Sequence, residues 1–370
     1  MTSTAVSVRG LTPDRVWAPG EFVYRDPDSG KGISTHSMMK CFRRCPKQFE
    51  YKYIQRLKPK ILGRPLRFGT WMHSLLEVWY KTGDMDAVKA MHQRYRNEFA
   101  KLFDEEKIDL GDLPRDVWRT FHSYLWHYKN DPWKVHEVEF TLEVELPDGS
   151  LYRCRLDMLI ENQYGLWIVD HKNHKTLPDL NFRLLDAQSA LYVWAALKNK
   201  IPIQGHIWNY LISKPPTMPE LLKSGARFSK KTLPNTDYPT LVRAIRAAGF
   251  DARDYAHDLN RLRNMQYQPG EMQTSTHFRR DILEKTPALL KRVATEGYQT
   301  HLRMNAYRWD KVQAVERVVD RSCSFMCSYK ELCTMELFGG DTTQLRRRNF
   351  KEADPMDYYQ DERPGQEGGE

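Results

Sequence analysis

The stretch that most constrains this chain runs from Leu151 to Asn173, LYRCRLDMLIENQYGLWIVDHKN. Two apolar runs flank Asn162-Gln163-Tyr164-Gly165, which predicts two strands joined by a turn. Side chains alternate between the faces of a strand. On the first strand, alternation places Arg153, Arg155 and Asp157 on one face and Tyr152, Cys154, Leu156, Met158 and Ile160 on the other. On the second, Ile168, Asp170 and Lys172 share a face opposite Trp167, Val169 and His171. Antiparallel pairing would bring two carboxylates and one ammonium to one end of the sheet. An Asp and a Lys two residues apart also suit a solvated face. Asp170, however, follows Leu166-Trp167-Ile168-Val169, a run fit for a buried strand, where an unpaired carboxylate is costly. Such carboxylates hold a hard divalent cation that activates water, and a lysine steadies the developing negative charge. Metal-assisted phosphodiester hydrolysis needs both.

The 370 residues allow one elaborated domain or two, with a sizeable core. No apolar run is long enough to span a bilayer, so no membrane partner is expected. The opening MTSTAVSVRGLTPDRVWAPGEF has no signal-peptide apolar region, which predicts an intracellular, cytoplasmic protein. Net charge is +9, and the last twenty residues hold two basic and seven acidic side chains, leaving residues 1–350 at about +14. A basic body favours a polyanion, although ordinary solubility charge reads the same way.

Taken in order, residues 1–33 predict an irregular arm and residues 34–338 the folded body. Ser34-Thr35-His36-Ser37 is a capping signal for a helix broken at Cys45-Pro46. A helix over Phe68–Tyr80, beginning near Gly69-Thr70, carries His73 and Glu77 on one face. A histidine on an otherwise apolar helix is more often a hydrogen-bonded core residue than a ligand. Residues 84–130 predict a helical insertion split around Leu110–Pro114, with aromatics that pack or stack on bases. The core, 134–213, reads as three strands, a helix over Asn181–Lys200 carrying Gln188 and Tyr192 one turn apart, and a buried strand, IPIQGHIWNYLI. That order is α/β, a mixed central sheet flanked by helices. A basic, Pro-rich loop over 214–240 is either a mobile surface loop or a nucleic-acid guide. Helices are expected over 240–265 and 280–300, separated by an extended piece near Met272–Phe278. The tail 339–370, with Arg346-Arg347-Arg348 and then an acidic end, predicts disorder.

His73, Asp157, Asp170-x-Lys172 and Gln188-x3-Tyr192, in this order, resemble the PD-(D/E)XK nuclease superfamily. More narrowly they resemble the RecB-type branch that includes the CRISPR adaptation exonucleases and the AddB nuclease domain. The resemblance spans most of 34–338 and implies a restriction-endonuclease-like fold with helical insertions. It also implies a Mg2+- or Mn2+-dependent DNA exonuclease of recombination, repair or phage-type replication. The substrate would be single-stranded DNA or linear duplex ends, with a helicase or recombinase as possible partner. His73, Asp157 and Asp170 match the metal ligands, and the His171 carbonyl completes that shell. Lys172 matches the catalytic lysine, and Gln188 and Tyr192 match the positioning pair. Cys154 stands where glycine is common and Asn173 where threonine usually follows the lysine.

Six cysteines in a chain with no sign of export point to metal rather than disulfides. Iron–sulfur members of the branch take one cysteine before the core and three after it. Here Cys45 and the run CSFMCSYKELC, with Cys323, Cys327 and Cys333, match a [4Fe-4S] set, in a C-x3-C-x5-C spacing where C-x2-C-x5-C is common. A structural zinc is the alternative. Either would staple the two ends of the fold, because Cys45 and Cys323 lie 278 residues apart. Closing such a loop is worth about 5 kcal/mol by the cross-link formula. Other readings are a non-catalytic DNA-binding or assembly subunit on the same fold and a zinc-stabilised RNA-processing protein.

Overall fold

The computed structural model describes residues 22–26, 29–179, 183, 185–307, 309, 314–354 and 356, so most of the N-terminal arm and the end of the tail lie outside them. β1 (Ile33–Ser34) leads into α1 (His36–Arg44), capped by Thr35, whose Oγ1 accepts from the Met38 amide at 3.1 Å. Cys45 ends α1 in extended conformation, and Pro46 opens α2 (Pro46–Phe49). Proline has no N–H to donate and fits only a helix's first turn. A π-helical turn over Glu50–Ile54 and β2 (Leu57–Pro59) follow.

α3 (Arg64–Thr82) is longer than the sequence predicts. It starts after Gly63, with Pro65 in its first turn, so Gly69 lies inside the helix rather than at its beginning. Gly83, at φ 65°, ends it in a conformation that glycine adopts cheaply. Three helices then cover α3, namely α4 (Met85–Ala100), α5 (Asp104–Leu110) and α6 (Leu113–His127). Trp71 of α3 stacks on Tyr95 of α4 at 4.6 Å, and Phe68, Leu75, Val117 and Phe121 share one apolar core.

β3 (Lys134–Glu145), β4 (Leu151–Asn162), β5 (Gly165–His174), β6 (Ile203–Ile212) and β7 (Phe278–Glu284) join β1 in a six-stranded mixed sheet. β3, β4 and β5 run antiparallel. β5 and β6 are parallel, with α7 (Ala187–Lys198) in the crossover, as a parallel pair requires. β7 returns antiparallel to β6. The segment after β6 carries α8 (Tyr238–Ala248) and α9 (Ala256–Asn264), and α10 (Pro287–Ala306) follows β7. Two boundaries therefore differ from expectation. Residues 280–284 belong to a strand, because Arg280 and Ile282 pair with Asn209 and Ile207. The crossover helix begins at Ala187, where Asp186 caps it through the Gln188 amide at 2.8 Å.

One side of β4 is paired along its length by β3. On the other side β5 pairs only with Met158–Asn162, and β1 only with Leu151 and Tyr152. Among the described residues, 153–157 have no strand beside them there, so the sheet is split. Alternation also breaks at the split, correcting the face assignment read from sequence. Tyr152, Cys154 and Leu156 pack with Ala190 and Leu191 of α7, whereas Met158 and Ile160 pack with Trp167, Val169 and Ile207. β3 turns over at the same level, since Phe140 and Leu142 join the first group and Val138 the second. Asp157 and Glu139 occupy the turnover. α7 thus covers one face, and α3 covers the other beside Leu211 and Phe278.

The two ends of the chain meet. α11 (Lys330–Leu337), α12 (Thr343–Asn349) and β8 (Phe350–Glu352) lie against β2, with β8 antiparallel to it. Tyr329 stacks on Tyr51 at 5.3 Å and on Phe350 at 5.5 Å. Residues 343–352 are therefore structured rather than part of a disordered tail. Their charged composition hides this because the strand partner lies near residue 58, far away in sequence. Among the described residues, no helix is long and apolar enough to cross a membrane.

Candidate metal centre

The site forms where β4 and β5 part. Met158 and Val169 are their last paired residues, and the next two positions are Asp157 and Asp170. With no ladder partner opposite, the His171 amide donates instead to Asp157 Oδ2 at 2.7 Å. α3 delivers His73 from one face, its Nδ1 3.5 Å from Asp157 Oδ2. α7 delivers Gln188 from the other face, its Nε2 donating to Asp170 Oδ1 at 3.1 Å and to the Tyr192 hydroxyl at 2.9 Å. Lys172 Nζ sits 2.5 Å from Asp170 Oδ2 and 5.2 Å from the centre of the Trp208 ring. Helices on opposite faces can reach one point because no strand fills the gap between them.

Residues scattered over about 120 positions of sequence thus converge, namely His73, Asp157, Asp170, Lys172, Gln188 and Tyr192. The His171 ring faces the other way, its Nδ1 2.7 Å from Asn209 Nδ2 and its plane stacked on Tyr80 at 5.9 Å. Glu139 of β3 joins the converging side chains, although nothing beside it in the sequence marks it out. One ligand atom each from His73, Glu139 and Asp157 lie within 4.8 Å of one another. Asp170 is outside that triplet, its oxygens engaged by Lys172 and Gln188. Glu139 also pairs with Arg155 at 2.6 Å. Its φ is 54°, which costs a residue with a side chain about 1–3 kcal/mol.

The electrostatics fit a cation. Burial, and then the facing Glu139 carboxylate, push Asp157 up to about 7. Burial also raises Asp170 to about 6, with Lys172 opposing and Asp157 adding to the rise. Burial and the Lys172 ammonium hold His73 below its ordinary value, leaving a neutral imidazole able to donate a lone pair. Carboxylates that repel each other in a half-buried site and a neutral histidine form a mixed oxygen and nitrogen donor set suited to a divalent metal.

All six cysteines are free thiols. Burial raises the Cys327 thiol, and the Cys323 and Cys45 sulfurs stand near enough to push it the same way. Arg317 Nε lies 3.3 Å from Cys333 Sγ. Among the described residues, no three cysteine sulfurs lie mutually within 4.8 Å.

A family model, the PD-(D/E)XK nuclease superfamily, matches residues 34–334. No curated protein matches the chain in sequence. Among solved structures it is similar to one titled "Crystal structure of SSO0001", with 11% identity and a TM-score of 0.26, covering 66% of this chain and 81% of that one.

Proposed function

We propose that this chain, which belongs to the PD-(D/E)XK nuclease superfamily, is a metal-dependent deoxyribonuclease of the RecB-type branch that removes nucleotides from DNA ends. The observation that carries the reading is the convergence of His73, Glu139 and Asp157 beside Asp170 and Lys172 at the strand split. In this reading His73, Asp157, Asp170 and the His171 carbonyl hold Mg2+ or Mn2+, with Glu139 as a further oxygen donor. A bound divalent ion supplies Lewis acidity and lowers the pKa of its water. Lys172 offsets charge developing on the scissile phosphate. Gln188, braced by Tyr192, keeps Asp170 aimed at the metal while Lys172 remains within reach of substrate. DNA, either single-stranded or as linear duplex ends, is the proposed substrate. A cytoplasmic setting and a helicase or recombinase partner accompany that proposal, with residues 34–338 as the nuclease domain.

We extend the reading to a [4Fe-4S] cluster on Cys45, Cys323, Cys327 and Cys333. Four free thiols where the two chain ends meet support it. Cys41, whose thiol burial pushes up to about 11, is left outside the set.

The test is cleavage of end-labelled linear, circular and single-stranded DNA with Mn2+, comparing the wild type with Asp170→Ala. Degradation of linear but not circular DNA by the wild type alone is expected. Equal or absent cleavage by both proteins would instead favour a non-catalytic DNA-binding subunit.

A further inference from the structure

α4 and the start of α6 enclose an open cavity of about 650 Å³ on the outer side of the helical layer that covers α3. Its walls carry cations on both sides, Lys89 and Arg96 from α4 and Arg115 from α6. Lys89 pairs with the exposed Asp86 at 2.7 Å, and Arg115 pairs with the exposed Asp112, itself part of the lining, at 3.0 Å and with the half-buried Asp116 at 3.7 Å. Exposed pairs of this kind contribute little and exchange readily for a stronger anion. Between the cations lies an aromatic platform. His92 stacks on Trp118 at 4.5 Å, and His122 meets Trp118 edge-on at 4.4 Å. Burial holds His92 and His122 below their ordinary values, so the platform is neutral near pH 7. His92 Nε2 is fixed 2.8 Å from the Pro114 carbonyl, which orients its ring.

We infer that this groove binds a single strand of nucleic acid, its bases stacking on the His92–Trp118 platform and its phosphates meeting Lys89, Arg96 and Arg115. Flat aromatic surface flanked by cations is the combination that holds single strands without sequence preference. Neither half suffices alone, because cations by themselves serve any polyanion and rings by themselves serve any apolar partner. The place is apt as well. Trp71, stacked on Tyr95 of α4, lies two residues before His73 on the same helix, so the helix that forms one wall of the groove packs on the helix that carries the metal-site histidine. The inference rests on the nuclease reading for its purpose but not for its test.

The test measures binding of a fluorescent oligo(dT) 20-mer in EDTA, where no cleavage occurs, across a salt series. Arg96→Ala/Arg115→Ala is expected to weaken binding at least tenfold. It should also reduce the slope of log K against log salt by about 1.4, from roughly 0.7 per lost phosphate contact on a single strand. Trp118→Phe should remove most of the tryptophan quenching on oligo(dT) addition while keeping the thermal midpoint close to wild type. Unchanged affinity and slope in the double variant would overturn the inference, and so would equal displacement of oligo(dT) by polyglutamate. If the wild type cleaves DNA but the double variant binds normally, the groove fails and the nuclease reading stands. If binding depends on the groove but no cleavage occurs with Mn2+, the reverse holds.

Discussion

Glu139 and Asp157 oppose each other across the β3–β4 ladder at the single level where both strands turn their side chains over. The turnover is what frees two adjacent-strand carboxylates to meet His73 instead of entering separate apolar layers. A left-handed backbone at Glu139 is the cost of this arrangement.

Replacing that residue should separate stability from function. Glu139→Gly removes the strain, reduced by the entropy glycine loses on folding and by the lost Arg155 pair, and also removes a carboxylate facing Asp157. Thermal unfolding should show a gain of about 1 kcal/mol, while calorimetry shows Mn2+ affinity reduced tenfold or more. A loss of stability would mean that the lost Arg155 pair outweighs the relieved strain.

Lys172 acts on charge rather than on assembly of the metal site. Lys172→Ala should lower single-turnover DNA cleavage by about 10²–10³-fold, the loss typical of one removed charge-stabilising donor. Mn2+ binding should persist, because His73, Glu139 and Asp157 remain. Loss of Mn2+ binding in this variant would assign the lysine a structural role instead.

Among the cysteines, positions 41 and 45 are the informative pair. Protein purified without oxygen should be brown, with iron and sulfide bound. Cys45→Ser should abolish the colour and lower stability by up to about 5 kcal/mol, the loop-closure ceiling. Cys41→Ser should retain the colour, and loss of iron only in Cys41→Ser would exchange their roles.

The junction of the two chain ends should be acid-labile. Glu336 receives Lys47 at 2.9 Å, Tyr51 at 2.7 Å and Arg346 at 2.5 Å. Burial alone would raise its carboxyl, but hydrogen bonds from Lys47 and Tyr51 outweigh it and hold the group below its ordinary 4.5. A carboxyl depressed by folding stabilises fully above its unfolded value, and that contribution disappears as pH falls through the folded one. Wild-type stability should therefore decline below about pH 4.5, and Glu336→Gln, already weaker at pH 7, should decline less steeply. Parallel acid limbs in urea titrations would count against the assignment.

Much of this site is written locally. A turn at Asn162–Gly165, apolar runs on either side and an Asp-x-Lys at the end of a buried strand are contiguous features, so the β4–β5 hairpin and its acids were legible from residue order. The same holds for the break at Cys45-Pro46, because proline's effect on a helix depends on its neighbours alone. Glu139 was not legible. It is one of several acids in VHEVEFTLEVEL, and nothing nearby distinguishes it from Glu137 or Glu143. What distinguishes it is the parting of β4 from β5, the turnover opposite Asp157 and the arrival of His73 from a helix some sixty residues away. The strand at 350–352 was not legible for the same reason, since its partner is β2. Residue order settles what neighbours along the chain impose through sterics and alternation. Only the packed fold decides which distant side chains share a half-buried gap, because that depends on where strands cease to pair.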